Sequence, residues 1–261
     1  MKRQNPVLAT LAVFALCGIT SGQTQIEVEF TPNSPTGFSP VTAVFHDGSF
    51  DNAFTAGDNL SGTGLELLAE TGDNSQYIGE APTTANFGAN DGNLNPGEGT
   101  SFVVSVDDSN TQLNLASMVL FSSDWFIGNG ESIDISSLIG AEVGAEILFD
   151  VDTVYDAGTE TEDFTGVGGS GLFPFSTSGS LGVDISDGSV SVLDRTTNPF
   201  LDFTNTENLD LAGFDVTSLD AFTASSLGTF RISVVSSAIP EPSSLVALSL
   251  GSLCLLTRRR R

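Results

Sequence analysis

Seven runs along the chain carry strand chemistry, and they leave room for little else. "QIEVEF" alternates, with Ile26, Val28 and Phe30 on one face, and "TSFVVSVDD" does the same with Phe102, Val104 and Val106. "PVTAVFHDG" is β-branched and aromatic, and "LNLASMVLF" is a near-continuous apolar run that reads as a fully buried strand. "AEILFDVDTV", "VSVLD" and "TFRISVV" follow. Successive side chains of a strand point to opposite faces, so these patterns each define a core side. Clusters of Gly, Pro, Asn and Asp punctuate the runs. Many short strands with turns between them predict an all-β fold, an antiparallel β-sandwich. One helix is expected, in "GTGLELLAETG", where Leu65, Leu68 and Ala69 share a face and Gly72 ends it.

The two ends of the chain read differently from the body. Residues 1–22 begin with Lys2 and Arg3, continue through an apolar run at 7–19, and close with Thr20 and Gly22 at signal-peptidase spacing. They read as a secretory signal peptide. Lipidation at Cys17 is rejected, because Leu16 stands where that processing needs a small residue. At the other end, residues 243–257 are apolar and uncharged and are followed by Arg258, Arg259, Arg260 and Arg261. A spanning helix usually takes about 20 apolar residues, so this is a marginal transmembrane segment. The arginines would hold its end on the cytoplasmic side.

The expected mature body, residues 23–239 with its sandwich domain over 23–236, is long enough for one domain burying about 70% of its unfolded surface. Between residues 23 and 239 only Arg195 and Arg231 are basic against 32 acidic residues, a balance of 2 − 32 = −30. Nucleic acid is excluded as a partner, since phosphate contacts need Lys and Arg. The membrane is expected to be touched only through the C-terminal segment. Both cysteines, Cys17 and Cys254, lie in the end segments, so the body has neither disulfide nor thiolate chemistry. Divalent cations would relieve its self-repulsion.

The densest acid run is "YDAGTETED", residues 155–163. It reads either as a solvated loop or as half of a cation site. Gly158 permits the sharp turn that would bring acids on both sides of it together. The lone His46, in "FHDGSF", reads as a strand-end histidine packed beside a turn. Trp125, the only Trp, reads as a core anchor for its loop. Residues 166–200, rich in Gly and Ser, read as long loops or an insertion. No G-x-S-x-G elbow, zinc motif or P-loop occurs.

Two resemblances follow from the quoted residues. The order Pro240-Glu241-Pro242, short apolar segment and arginine cluster resembles the PEP-CTERM sorting signal, over residues 237–261. It implies export, an exosortase as processing partner, and a cell-surface or matrix destination with a transient membrane anchor. The segments "SPVTAVFHDGSFD", "GLELLAETGD", "LNPGEGTSFVVSV", "LASMVLFSSDWFIGNG" and "YDAGTETED", across residues 26–164, resemble the spondin N-terminal domain family, bacterial type. That resemblance implies a C2-like sandwich with a calcium site in loops at one end, and an adhesion-type rather than catalytic role. Carried over by position, the metal carboxylates would be Asp124, Asp156 and Glu160; Glu160 departs from the Asp common in animal members. Calcium takes six to eight oxygen ligands, so an all-carboxylate set suits it better than zinc. Two other functions are weighed. One is a secreted glycoside hydrolase using paired carboxylates; the other is a purely structural matrix component. A matrix polysaccharide or a surface protein would be the partner in the adhesion reading.

Overall fold

The computed structural model describes residues 22–34, 36–50, 54–120, 122, 124–160, 188–195 and 226–237. The signal segment 1–21, the 243–257 apolar segment, and residues 166–187 and 196–200 of the Gly/Ser-rich stretch lie outside the described residues. In chain order the elements are β1 (Gln23–Pro32), β2 (Gly37–Phe38), β3 (Thr42–His46), α1 (Gly64–Thr71), α2 (Ser75–Glu80), β4 (Asn86–Ala89), β5 (Thr100–Asp107), β6 (Gln112–Leu120), β7 (Trp125–Gly128), β8 (Ile133–Asp134), β9 (Glu146–Val151), β10 (Tyr155–Asp156), β11 (Ser191–Val192) and β12 (Gly228–Ser237). All the described residues belong to one unit, Gly22–Ile239.

The strands form two antiparallel sheets. One has the order β5-β1-β12-β9; the other runs β11-β10-β7-β6-β3-β4, with β2 and β8 also pairing to β6. The alternation in β1 does what it predicts: Ile26, Val28 and Phe30 are fully buried, while Glu27 and Glu29 point outward. These side chains meet those of the second sheet, such as Phe45, Leu115 and Trp125, in one core. Phe30 stacks on Phe230 at 4.5 Å and meets Phe38 of β2 edge-on at 5.2 Å.

The run "LNLASMVLF" becomes β6, buried from Leu113 to Leu120. Its two faces have different covers, which explains the missing alternation. Leu113, Leu115 and Met118 enter the inter-sheet core, whereas Ala116 joins a second cluster under α1 with Leu65, Leu68 and Ala69. The helix starts at Thr63, whose hydroxyl accepts the Glu66 N–H, and ends at Gly72 in the left-handed region, φ 72°. The expectation of a single helix needs correcting, because α2 follows almost at once and packs against α1. It is six residues long and buries Tyr77 alone, too short to show a helical period.

Outside the core the charges are organised by Arg231. Its guanidinium on β12 donates from Nε to Glu29 on β1 at 2.7 Å and lies within 3.8 Å of Glu27 and 3.7 Å of Glu146 on β9. One cation thus bridges three strands of an acidic sheet face.

Candidate functional site

Antiparallel pairing of β7 with β10 sets Tyr155 opposite Phe126 and Asp156 opposite Trp125. Asp124 and the turn after β10 therefore arrive at the same end of the sheet. The Ala157 N–H continues the ladder, donating to the Asp124 carbonyl at 3.2 Å. Ala157 is itself buried in the cluster under α1.

The turn then reverses at Gly158, φ 68°. A side chain there would be strained by that φ, and its Cβ would come within 2.6 Å of the Ser189 carbonyl oxygen. The Gly158 N–H donates to Asp156 Oδ1 at 2.7 Å, closing an Asx turn. The chain is thereby aimed back at Asp124. The Asp124 carboxylate is fully buried, and its Oδ2 accepts the Thr159 N–H at 2.8 Å, the Glu160 N–H at 3.1 Å and the Thr159 hydroxyl at 3.3 Å. Asp124 thus organises the 156–160 turn directly, through its own oxygen. Thr159 and Glu160 are buried with it.

A fourth carboxylate joins these three. Glu70, in the last turn of α1, lies near the Thr159 side chain and feels the charges of Glu160, Glu66 and Asp124. Burial, opposed in part by the nearby Thr159 hydroxyl and reinforced by the three carboxylates, pushes the half-buried Glu70 up to about 7. Burial and then Asp124 push Asp156 up to about 6, against the Gly158 amide. The charges acting on both groups are negative. The two described arginines are engaged elsewhere: Arg231 on the first sheet, and Arg195 with its Nη2 on the Asp152 carbonyl.

The three residues expected to hold metal are therefore gathered at one end of the sheet, with Glu70 beside them. The donor chemistry, oxygen throughout, suits a hard cation. The spacing is a separate matter: among the described residues no three His, Cys, Asp or Glu side chains stand where they could hold a metal ion. Glu70 carried little sequence signal. It lies 54 positions before Asp124 in the sequence and follows the buried Leu68 and Ala69, where it reads as a solvated helix edge.

His46 is buried at the end of β3. Its Nδ1 accepts the Gly48 N–H at 3.1 Å, which places the ring proton on Nε2, facing Ser132 Oγ at 3.4 Å. Ser132 Oγ donates onward to Asn114 Oδ1 at 2.8 Å. That tautomer cannot take a proton from Ser132, and Phe50 packs edge-on against the ring. The packing role beside a turn is the observed one. Trp125 is fully buried in the inter-sheet core, as expected of an anchor for the Asp124 loop.

Comparison with known proteins bears on the tail. Residues 238–261 match the PEP-CTERM protein-sorting motif. No curated protein matches the chain. The motif carries with it export, processing by an exosortase and sorting to the cell surface. Among the described residues no helix is long and apolar enough to cross a membrane.

Proposed function

We propose that the chain is an exported, non-catalytic surface or matrix protein of the spondin N-terminal, C2-like type, with calcium as the counter-ion of its carboxylate cluster. The observation that carries this reading is the convergence of Asp124, Asp156, Glu160 and Glu70, with only negative charges among those that the described residues bring to bear on Glu70 and Asp156. Such a cluster is held together either by protons or by a cation, and extracellular calcium modules commonly bind the ion with Kd on the order of 10⁻⁴ to 10⁻³ M. The ion would draw side chains together that do not now share a point. The non-catalytic reading is supported by the state of Asp124: it is fully buried, and one of its oxygens is taken up by backbone amides. A hydrolytic pair would need both carboxyls on an open cleft.

The test is thermal unfolding of residues 23–239 with calcium and with chelator. A ligand that binds only the folded state at about tenfold over Kd stabilises it by roughly 1.4 kcal/mol. Asp156→Ala is expected to abolish the calcium response, and Asp91→Ala, on an exposed turn, to leave it intact. Equal responses in wild type and Asp156→Ala would mean that calcium binds the acidic surface diffusely. Processing is checked separately. Intact-mass measurement on protein released from its native host is expected to show a chain lacking residues 1–22 and the arginine tail. Recovery of chain still ending in Arg261 would overturn the processing.

A further inference from the structure

The first sheet ends on two open edges, β5 and β9, and they are built differently. Among the described residues β5 pairs only with β1, and β9 only with β12. An open edge is a template for another strand, and folded proteins commonly blunt it with charge, Pro, a bulge or a short strand. β9 carries Glu146 and Asp150 on its outer face, on either side of Leu148. β5 runs for eight residues, "TSFVVSVD", and from Thr100 to Val106 it has no charge, no Pro and no Gly. Its register against β1 continues without a shift from Gln23 to Phe30. The outermost strands of the second sheet, β4 and β11, are only four and two residues long.

Two bonds fix which way the backbone groups of β5 point. The Asn33 N–H donates to the Leu227 carbonyl, on the β12 side, at 2.7 Å. Odd-numbered residues of β1 therefore face β12 and even-numbered ones face β5. Each even residue of β1 stands opposite an even residue of β5, so the odd residues of β5 face away from the sheet. The Asp107 N–H agrees, since it leaves the ladder for Asn86 Oδ1 at 2.8 Å. The N–H and C=O groups of Ser101, Val103 and Ser105 are thus on the open side. Their side chains are exposed on the outer face, while Phe102, Val104 and Val106 turn to the core.

This stretch is its own complement. Laid antiparallel against a second copy and centred on Val103, it sets Val103 on Val103, Ser101 on Ser105 and Phe102 on Val104. The outward amides and carbonyls of Ser101, Val103 and Ser105 then meet as hydrogen-bonded pairs, and no charge opposes another along the strand. The same operation on β9, centred on Leu148, sets Glu146 on Asp150, and like charges directly opposite are unfavourable. The acidic body repels a second copy over most of its surface, which leaves the uncharged edge as the place of approach. The acid opposite Val103 on β1 is Glu27, and Arg231 lies within 3.8 Å of it. In the paired sheet the two Glu27 positions stand three strand spacings apart, about 14 Å. That exceeds the screening length of about 8 Å at physiological salt.

We propose that β5 is a self-association edge: two copies pair through it about a two-fold axis at Val103, giving one continuous sheet in the order β9-β12-β1-β5-β5-β1-β12-β9. A two-fold contact uses the same edge of both copies and closes on itself, so the product is a dimer rather than a filament. The contact is independent of any ion at the carboxylate cluster. Sedimentation velocity of the chain released from its native host, kept in chelator and followed over a dilution series, reads it. A reversible monomer–dimer equilibrium is expected. Val103→Lys, at a position already 52% exposed, sets two ammonium groups opposite each other and is expected to raise the dissociation constant about tenfold. Leu148→Lys, the same change on the guarded edge, is expected to leave it unaltered. The exposed Glu98 and Asp108 flank the strand and come opposite each other across the two copies, so added salt is expected to strengthen the dimer. Monomer alone up to the highest soluble concentration, open-ended assemblies, or equal effects of the two lysine variants would each overturn the proposal. A dimer weakened by salt would do the same, since it would mark a charge-driven contact elsewhere.

Discussion

Asp124→Ala is expected to lower the stability of the calcium-free protein by about 3–5 kcal/mol, measured by urea unfolding at neutral pH. The substitution removes the acceptor for the Thr159 and Glu160 amides and for the Thr159 hydroxyl. Both residues are buried, so water does not simply replace the lost oxygen. An unsatisfied buried amide costs about 1–3 kcal/mol. A term of opposite sign accompanies this: deleting one charge relieves Asp156 and Glu70, which both feel Asp124. Asp124 is last among the causes acting on Glu70 and second to burial at Asp156, and the range given is net of that relief. Asp124→Asn keeps an acceptor in place and is expected to lose clearly less, since a neutral acceptor is about half as strong as a charged one. Against a total stability of roughly 5–15 kcal/mol, the alanine variant would be close to unfolding. Amide exchange at Thr159 and Glu160 localises the effect, with protection lost there first. A loss below about 1 kcal/mol with unchanged exchange at those two amides would mean that Asp124 does not hold the turn.

Much of this architecture was legible because its strands are either one-sided or fully enclosed. β1 and β5 have one face on the core, and their period of two is plain in "QIEVEF" and "TSFVVSVDD". β6 is covered by the other sheet and by α1, and a continuous apolar run is what such a strand needs. The helix α1 announced itself through a one-sided stripe and a terminal Gly72. α2 did not, because Tyr77 is its one buried side chain and Asn74 makes no side-chain cap bond. The short β4, "NFGA", was equally silent: its residues are half-buried or exposed, and its partner β3 supplies the order. At the site, Asp124 and the 155–160 turn were recognisable from the residues around them. Their juxtaposition is a consequence of β7–β10 pairing. Glu70 reaches them only because α1 packs across β6 and β7, and no local pattern encodes a contact of that range. Asp124 also has a structural part that no local pattern announces: one of its oxygens accepts the backbone amides of the 156–160 turn.

Glu70→Gln is expected to raise the stability of the chelated protein by about 2 kcal/mol at pH 8 and to remove most of its pH dependence between about 6 and 7. Glu70 is pushed from 4.5 to about 7 in the folded state, first by burial and then by Glu160, Glu66 and Asp124. A carboxyl raised in the fold favours its protonated form there. Its contribution is fully present below pH 4.5, where both folded and unfolded chains hold the proton, and is lost as pH climbs through about 7. Fully expressed, that gap is worth roughly 3 kcal/mol, and the half-exposed position of Glu70 screens it to about 2. Asp156, raised from 3.8 to about 6, adds a comparable decline in the same direction over a lower window. Glutamine keeps the shape while carrying no charge, so the variant follows a flatter profile. Saturating calcium acts on the wild type in the opposite sense. It favours the charged carboxylates, and stability should then rise with pH over the range in which the chelated protein loses it. Urea unfolding from pH 4 to pH 8, with and without chelator, reads both effects. A wild-type profile that is already flat in chelator, or a Glu70→Gln profile parallel to it, would show that the cluster is not short of positive charge, and the case for a counter-ion would go with it.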